Sequence, residues 1–231
     1  MKILAFIPAR LESKRFPNKV IKSIYKIPMI EHVRRRAIMS GAFDDVYIVT
    51  NSKVIQKKLK KYNAKIILTK NKHFNGTSRV SEISKNYKFD YAFILFADEP
   101  FINPGKIFQC LKEIKNNKKV SVFNVVTNLK PGDVKSPVVV KTIQNNKGYI
   151  TDYYRLSKKN IIKSKLKKSS GILIFKKELI DNYDSLNIEK REKKDKIEQF
   201  RLLENSKMIK KIIIFDLDGV LIDSLSNMEY A

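Results

Sequence analysis

The chain has 231 residues, 43% of them hydrophobic, and a formal net charge of +25. That length and apolar content suit one sizeable α/β domain with its own core, and no apolar run approaches the ~20 residues of a membrane-spanning helix. One cysteine, Cys110, excludes an intrachain disulfide and a cysteine metal cluster and fits a reducing, cytoplasmic setting, while two histidines, His32 and His73, give a histidine metal site or a Ser-His-Asp triad little to work with.

Residues 3–7 form a short apolar run that suits one buried strand, and Pro8 is expected to stop it. Four cations follow in a short loop, Arg10, Lys14, Arg15 and Lys19, which Pro17 and Asn18 keep from becoming helix. A strand that ends in such a loop is a good place to hold a polyphosphate: Arg supplies a planar fork for phosphate oxygens and Lys a point charge. The plain alternative is a solvated basic loop; for a signal peptide the apolar run is too short. A helix is expected from Pro28, with Met29, Ile30, Val33 and Ala37 at helical spacing and Gly41 as its stop. His32 reads as an ordinary residue of that helix. Residues 46–50 read as a second strand, 53–62 as a basic helix and 64–68 as a third strand. This alternation predicts a largely parallel sheet with helices on both faces, and ligands lie at the carboxyl ends of such strands. The Arg10 to Lys19 loop, Thr50 and Asn51 would all be there.

Asn75, Gly76 and Thr77 read as a turn before a helix at 80–87. Residues 91–96 are the most apolar strand, ending in Ala97, Asp98, Glu99 and Pro100. A carboxylate leaving the end of a buried strand, on the sheet edge that carries the cationic loop, is where a Mg²⁺-nucleotide would find a ligand; a turn or capping role is the plain alternative for Asp98. Further on, 104–115 reads as a helix containing Cys110, 120–126 as a strand, 135–141 as a strand that begins at a proline, 145–148 as a turn and 169–175 as a strand. Residues 192–204 read as one strongly charged helix, with Ile197, Phe200, Arg201 and Leu203 as its packing face.

Ala9, Arg10, Ser13, Arg15, Pro17 and Lys19 match A-R-x-x-S-x-R-x-P-x-K, the nucleotide-binding signature of the sugar cytidylyltransferases. The chain resembles above all their CMP-KDO synthetase branch (3-deoxy-manno-octulosonate cytidylyltransferases). Residues 26–33 resemble that family's G-K-P-M-I-x-H-V, with Ile27 in place of Lys. Residues 73–79 resemble H-x-S-G-T-D/E-R, with Ser78 at the acidic position. Residues 96–100 resemble Q-G-D-E-P, with Phe96 and Ala97 where Gln and Gly are expected. Tyr153, Tyr154 and Arg155 stand where the family has aromatic-Ser-Arg; 169–175 resemble H-x-G-I-Y-x-Y with Ser169 in place of His; and 195–201 resemble E-x-L-E-Q-L-R.

The resemblance covers nearly all of residues 1–208. It implies a three-layer α/β/α fold of the nucleotide-diphospho-sugar transferase type, Rossmann-like, with a mixed, mainly parallel sheet. It also implies transfer of CMP from CTP to a 2-keto sugar acid with release of pyrophosphate, with Mg²⁺ as cofactor, a homodimer, and a place in lipopolysaccharide biosynthesis. By the same resemblance, Ala9, Arg10, Leu11, Ser13, Arg15, Lys19, Thr50, Thr77 and Arg79 bind the nucleotide. Arg10, Arg15, Lys19 and Asp98 form the catalytic set, Asp98 holds the metal, and Arg155, Ser169, Glu198 and Gln199 lie at the sugar.

Residues 211–224 resemble a different family, the haloacid-dehalogenase (HAD) phosphatases, whose first motif is D-x-D-G-V-x-x-D-S. There Asp216 would be the nucleophile and Asp218 the acid/base. Laid instead on the synthetase ending, the tail makes Asp223 the second Mg²⁺ ligand. Residues 209–231 are thus either the start of a truncated HAD-like segment or a divergent end of the same domain. No phosphatase activity is expected, since the later HAD motifs have no residues to occupy. Three other readings compete with CMP transfer to a KDO-like acid: a cytidylyltransferase for another acidic sugar of the nonulosonic type, an inactive remnant, and a basic nucleic-acid-binding protein. The charge raises the last. Against it, lysines are spread along the whole chain, and neither an RNA-recognition aromatic motif nor zinc-finger spacing is found.

Overall fold

Residues 1–12, 16–70, 72–155 and 166–213 are described by the computed structural model of the chain. Strand β1 (Ile3–Ala9) is apolar along its length because both its faces are covered. Ile3, Ala5 and Ile7 pack into one helical layer, Leu4 and Phe6 into the other, which is the pattern of a buried parallel strand. The first layer is α1 (Met29–Met39), α2 (Lys53–Leu59) and α4 (Pro104–Asn116), which set Val33, Leu59 and Ile107 on the sheet. The second contains α3 (Gly76–Ser84), α5 (Lys177–Asp181) and α7 (Phe200–Glu204), with Val80, Ile180 and Phe200 as contacts. The expected three layers are present.

The sheet has nine strands. Its first half, β4 (Asp45–Thr50), β5 (Lys65–Leu68), β6 (Tyr91–Leu95) and β1, is parallel throughout, in spatial order β5-β4-β1-β6. A separate two-stranded hairpin, β2 (Ser23–Ile24) and β3 (Ile27–Pro28), precedes α1. The second half is mostly antiparallel: β7 (Val122–Thr127), β8 (Lys141–Gln144), β9 (Tyr149–Tyr154), β10 (Leu166–Lys176) and β11 (Ile209–Ile213). β10 lies between β6 and β7, and β11 lies between β7 and β9. β8 pairs with β9 and also with the first residues of β10, so β10, β7, β11, β9 and β8 close into a ring. Ile209–Ile213 therefore fold into the same sheet as the strands before them. Asp216, Asp218 and Asp223 lie outside the described residues.

Several elements depart from the sequence reading for local reasons. β1 runs through Pro8, which pairs in register with Val49. Its ladder with β6 has already ended at Phe6, so on that side a missing N–H interrupts nothing. α3 begins at Gly76, not 80, because the Asn75 side chain accepts the Ser78 N–H at 2.7 Å as an N-cap. Residues 135–140 form no strand. The Ser136 carbonyl accepts the Lys141 ammonium at 2.5 Å and the Val138 carbonyl the Arg155 guanidinium at 3.0 Å, which occupies the acceptors a neighbouring strand would use. The single charged helix expected at 192–204 is two, α6 (Lys190–Asp195) and α7, broken at Lys196 with φ +53°. Arg155 holds that break by donating to the carbonyls of Asp195 (3.0 Å) and Lys196 (3.3 Å). The break lets Ile197 and Glu198 turn inward.

Candidate active site

The carboxyl ends of the parallel strands bring the first candidates together. Ala9 and Thr50 are register partners at the ends of β1 and β4. Just beyond them, Arg10, Glu12, Asn51, Lys72, His73 and Arg79 line a cavity of about 200 Å³. Arg79 is buried and donates to Thr69 Oγ1 at 2.6 Å. Burial pulls its pKa down, with Glu12 acting the other way. His73 is held by Glu82 at 2.7 Å. Leu11 packs against the core, and its carbonyl accepts the Asn18 N–H at 3.3 Å, which closes the cationic loop. Ser13 and Arg15 lie outside the described residues.

Lys19 opens a single 3-10 turn, Lys19–Ile21, and its Nζ is 2.5 Å from Asp98 Oδ2. Both side chains are partly exposed. The cation of the loop and the carboxylate at the end of β6 thus neutralise each other, in a contact that solvent keeps weak. The next residue turns the other way. Glu99 Oε1 accepts the Gly171 N–H at 2.6 Å, and the Gly171 carbonyl accepts the Phe96 N–H at 2.9 Å. Burial pushes the Glu99 carboxyl up to about 6, with the Gly171 N–H and Lys168 opposing and Asp98 adding to the rise. A Cβ on Gly171 would sit 2.6 Å from Glu99 Oε1 and 2.8 Å from Phe96 Cβ, so this position requires glycine.

A second group lies at the start of α3. Glu198 Oε2 accepts the Thr77 N–H at 3.1 Å. Burial raises the Glu198 pKa, and Thr77 moderates the rise through its N–H and hydroxyl. Among the described residues, Glu198 Oε1 and Thr77 Oγ1 complete no hydrogen bond of regular geometry. Behind them Glu192 forms a buried bidentate pair with Arg201, at 2.9 and 2.8 Å, and accepts Asn75 Nδ2 at 2.7 Å. Arg201 also donates to Ser78 Oγ at 3.0 Å. Ser78, which replaces an acid of the resembled motif, therefore faces a guanidinium that Glu192 already neutralises. The Tyr183 hydroxyl donates to the Glu198 carbonyl at 3.0 Å, and Gln199 is buried at the start of α7.

Arg155 and Ser169 face elsewhere. Arg155 donates to backbone carbonyls on both sides of the loop that leads into β8 and the α6–α7 break. Ser169 turns into the strand ring and donates to Asn124 Oδ1 at 2.8 Å, which also accepts the Tyr153 hydroxyl at 3.0 Å. Asn124 Nδ2 donates to the Ile172 carbonyl at 3.1 Å and so supports the β10 bulge between Ser169 and Leu173. The structure thus groups Arg10 and Arg79 at one cavity beyond the Ala9–Thr50 strand ends, Lys19 with Asp98, and Thr77 with Glu198. Glu99, Gly171, Asn124, Glu192 and Arg201 carry much of this geometry and were absent from the sequence-derived site. One signal was available: Asn124 interrupts the otherwise apolar stretch from Val122 to Val126. A wider cleft of about 630 Å³ at the β8–β9 turn shares no residue with these groups.

The cytidylyltransferase family model matches residues 4–212. The chain belongs to the cytidylyltransferase family. A 3-deoxy-manno-octulosonate cytidylyltransferase of Flavobacterium johnsoniae is 29% identical over 242 residues, which span 100% of this chain and 97% of that one. The enzyme of the same name from Escherichia coli is 27% identical over 205 residues, 87% of this chain and 83% of its own. Among solved structures, CMP:2-keto-3-deoxy-manno-octonic acid synthetase complexed with CTP superposes with a TM-score of 0.85 at 24% identity, over 99% of this chain and 98% of that chain. UDP-glucose pyrophosphorylase complexed with UDP-glucose superposes at 0.63 and 15% identity, over 92% and 91%. These likenesses establish the nucleotidyltransferase-type fold. The family match reaches Ile212, inside β11. No helix among the described residues is long and apolar enough to cross a membrane.

Proposed function

We propose that this cytidylyltransferase transfers CMP from CTP to a 2-keto sugar acid of the KDO type and releases pyrophosphate. One observation carries the reading: the carboxyl ends of β1, β4 and β6 present the Arg10–Arg79 cavity and the Lys19–Asp98 pair on a single edge of the parallel sheet. The relatives named for this reaction support it. A hydroxyl of the sugar attacks the α-phosphorus and pyrophosphate leaves in line, a transfer that needs positioning and charge neutralisation more than a strong base. Arg10 and Lys19, with Arg15 from the cationic loop, neutralise the triphosphate. Nucleotide binding draws Lys19 to phosphate oxygens and frees Asp98. The buried Glu198 carboxyl and Gln199 suit the hydroxyls of the sugar. Arg155 serves the site by fixing the break that turns Glu198 inward.

Among the described residues no three His, Cys, Asp or Glu side chains come together as a metal cage. A single exposed carboxylate opposite a phosphate-binding loop fits a hard cation that arrives on the nucleotide, since Mg²⁺ is usually held by one or two carboxylates plus phosphate oxygens. Asp98 would hold it, with Asp223 as the second ligand on the resembled ending. Bound there, Mg²⁺ supplies charge neutralisation across the phosphates. The reading includes action in the cytoplasm as a homodimer, which sedimentation would check.

Pyrophosphate release with CTP and a panel of acidic sugars tests the reaction. Turnover is expected with KDO, and turnover only with a nonulosonic acid would move the assignment to that sugar class. Release with no sugar acid at all would overturn the reading. Asp98→Asn should keep CTP binding without Mg²⁺ and lose metal-dependent turnover.

A further inference from the structure

We propose that Glu99 is a positioning residue for Asp98: its side chain takes a place in the β6–β10 ladder that the backbone has vacated, and so fixes the turn that carries Asp98. The proposal rests on the assignment of Asp98 to the metal.

The last register pair of β6 and β10 is Leu95 with Ile172. The next pair would be Phe96 with Gly171. In an antiparallel ladder a hydrogen-bonded pair exchanges two N–H···O bonds. One is made, from Phe96 N–H to the Gly171 carbonyl at 2.9 Å. The other is not, because the Phe96 carbonyl has turned to accept the Glu99 N–H at 3.2 Å as the chain leaves the sheet. Glu99 Oε1 accepts the Gly171 N–H instead, at 2.6 Å. The carboxylate thus completes the ladder, and the turn between Phe96 and Glu99 is tied at both of its ends to one glycine. Asp98 is the exposed residue within that turn, facing Lys19.

Gly171 is itself a firm anchor. It lies in the β10 bulge, whose far edge is bonded by Asn124 at the Ile172 carbonyl. No side chain fits at this position, since a Cβ would meet the Glu99 carboxylate at 2.6 Å. A turn held only by its own backbone bond would let the Asp98 carboxylate swing, whereas one tied to the sheet presents it in one direction. Displacement of a positioning group by ~1 Å can cost about a hundredfold in rate.

The test compares Glu99→Ala, Glu99→Gln and Asp98→Asn with the unaltered enzyme, by calorimetry of CTP binding with and without Mg²⁺ and by steady-state kinetics. Glu99→Ala should bind CTP normally without Mg²⁺, lose most of the gain in affinity that Mg²⁺ gives, and lose kcat by about ten- to a hundredfold with little change in KM for the sugar. Glu99→Gln, whose amide oxygen still accepts the Gly171 N–H, should recover most of both. Glu99→Ala with the Mg²⁺ gain and kcat intact would overturn the proposal, and so would a Gln variant as impaired as the Ala variant. Asp98→Asn separates the two readings. If it too keeps the Mg²⁺ gain, the metal assignment fails; if it loses the gain while Glu99→Ala keeps it, only the role of Glu99 fails. Gly171→Ala, where it folds, should reproduce Glu99→Ala, and the double variant should be no worse than either single one, as two changes to one contact are not additive.

Discussion

Arg10 is exposed while Arg79, across the same small cavity, is buried and bonded to Thr69. The two therefore separate binding from stability. Arg10→Ala should weaken CTP binding by about 1.5–3 kcal/mol, the worth of a hydrogen bond to a charged group, and leave the melting temperature unchanged; calorimetry and a thermal melt read the two. Arg10 and Asp98 were legible in the sequence because each lies just after a strand, and Lys19 because it ends the cation-rich stretch that follows β1, where residue type alone indicates the chemistry. Glu99 and Glu198 were less so, because their partners Gly171 and Thr77 come from distant parts of the chain. Glu198 also gives a pH signature. Burial holds its carboxyl above the usual 4.5, so the folded protein keeps this proton more tightly than the unfolded chain. Its contribution is fully present below about 4.5 and is lost as pH rises through the raised value. Glu198→Gln does not titrate there, so its unfolding free energy relative to the unaltered protein should improve as pH rises. A difference that falls with pH would contradict the assignment.

The hairpin of β2 and β3 turns through Tyr25 and Lys26, with φ +47° and +65°. A two-residue turn with positive φ at both positions favours glycine and asparagine, and the resembled motif has glycine where Lys26 stands. Lys26→Gly should relieve left-handed strain and stabilise the protein by about 1 kcal/mol, read as a higher urea midpoint at unchanged slope. His32, a residue of α1, supports this element with Nε2 2.9 Å from the Ile24 carbonyl. At this scale β1, β4, β6, α1 and α4 were readable, because burial on two faces or one helical stripe writes a clear period. Residues 135–140 and the α6–α7 break were not. There the side chains of Lys141 and Arg155 bind backbone carbonyls and redirect the chain, and hydrophobic period carries no trace of such bonds.

The net charge of +25 is a property of the whole molecule. Among the described residues most ion pairs involve an exposed side chain; Glu31–Arg34, His73–Glu82 and Glu192–Arg201 are enclosed, and Lys177–Asp181 is half-buried. Self-repulsion should therefore dominate the long-range electrostatics. Raising ionic strength toward about 1 M, where the Debye length is ~3 Å, should raise the melting temperature; a fall would mean that the surface pairs are net stabilising. Binding to random oligonucleotides should be weak and fall steeply with salt, without sequence preference. The parallel half of the sheet followed from the order of strands and helices in the sequence. The ring did not, because β10 pairs with β6, β7 and β8, and β11 enters between strands that precede it by more than fifty residues.

That insertion has a consequence for synthesis. β11 is the last described strand to leave the ribosome, yet it lies between β7 and β9. A nascent chain that has reached only residue 208 holds both neighbours with open edges, and β7 then presents the apolar VFNVVT segment without a cover. Such an edge is a template for pairing with another chain. Release of the chain at residue 208 should give a protein that sediments as aggregate when expressed, whereas release after residue 213 should give soluble material with the ring closed. Soluble, monodisperse protein from the shorter chain would show that β7 and β9 find each other without β11.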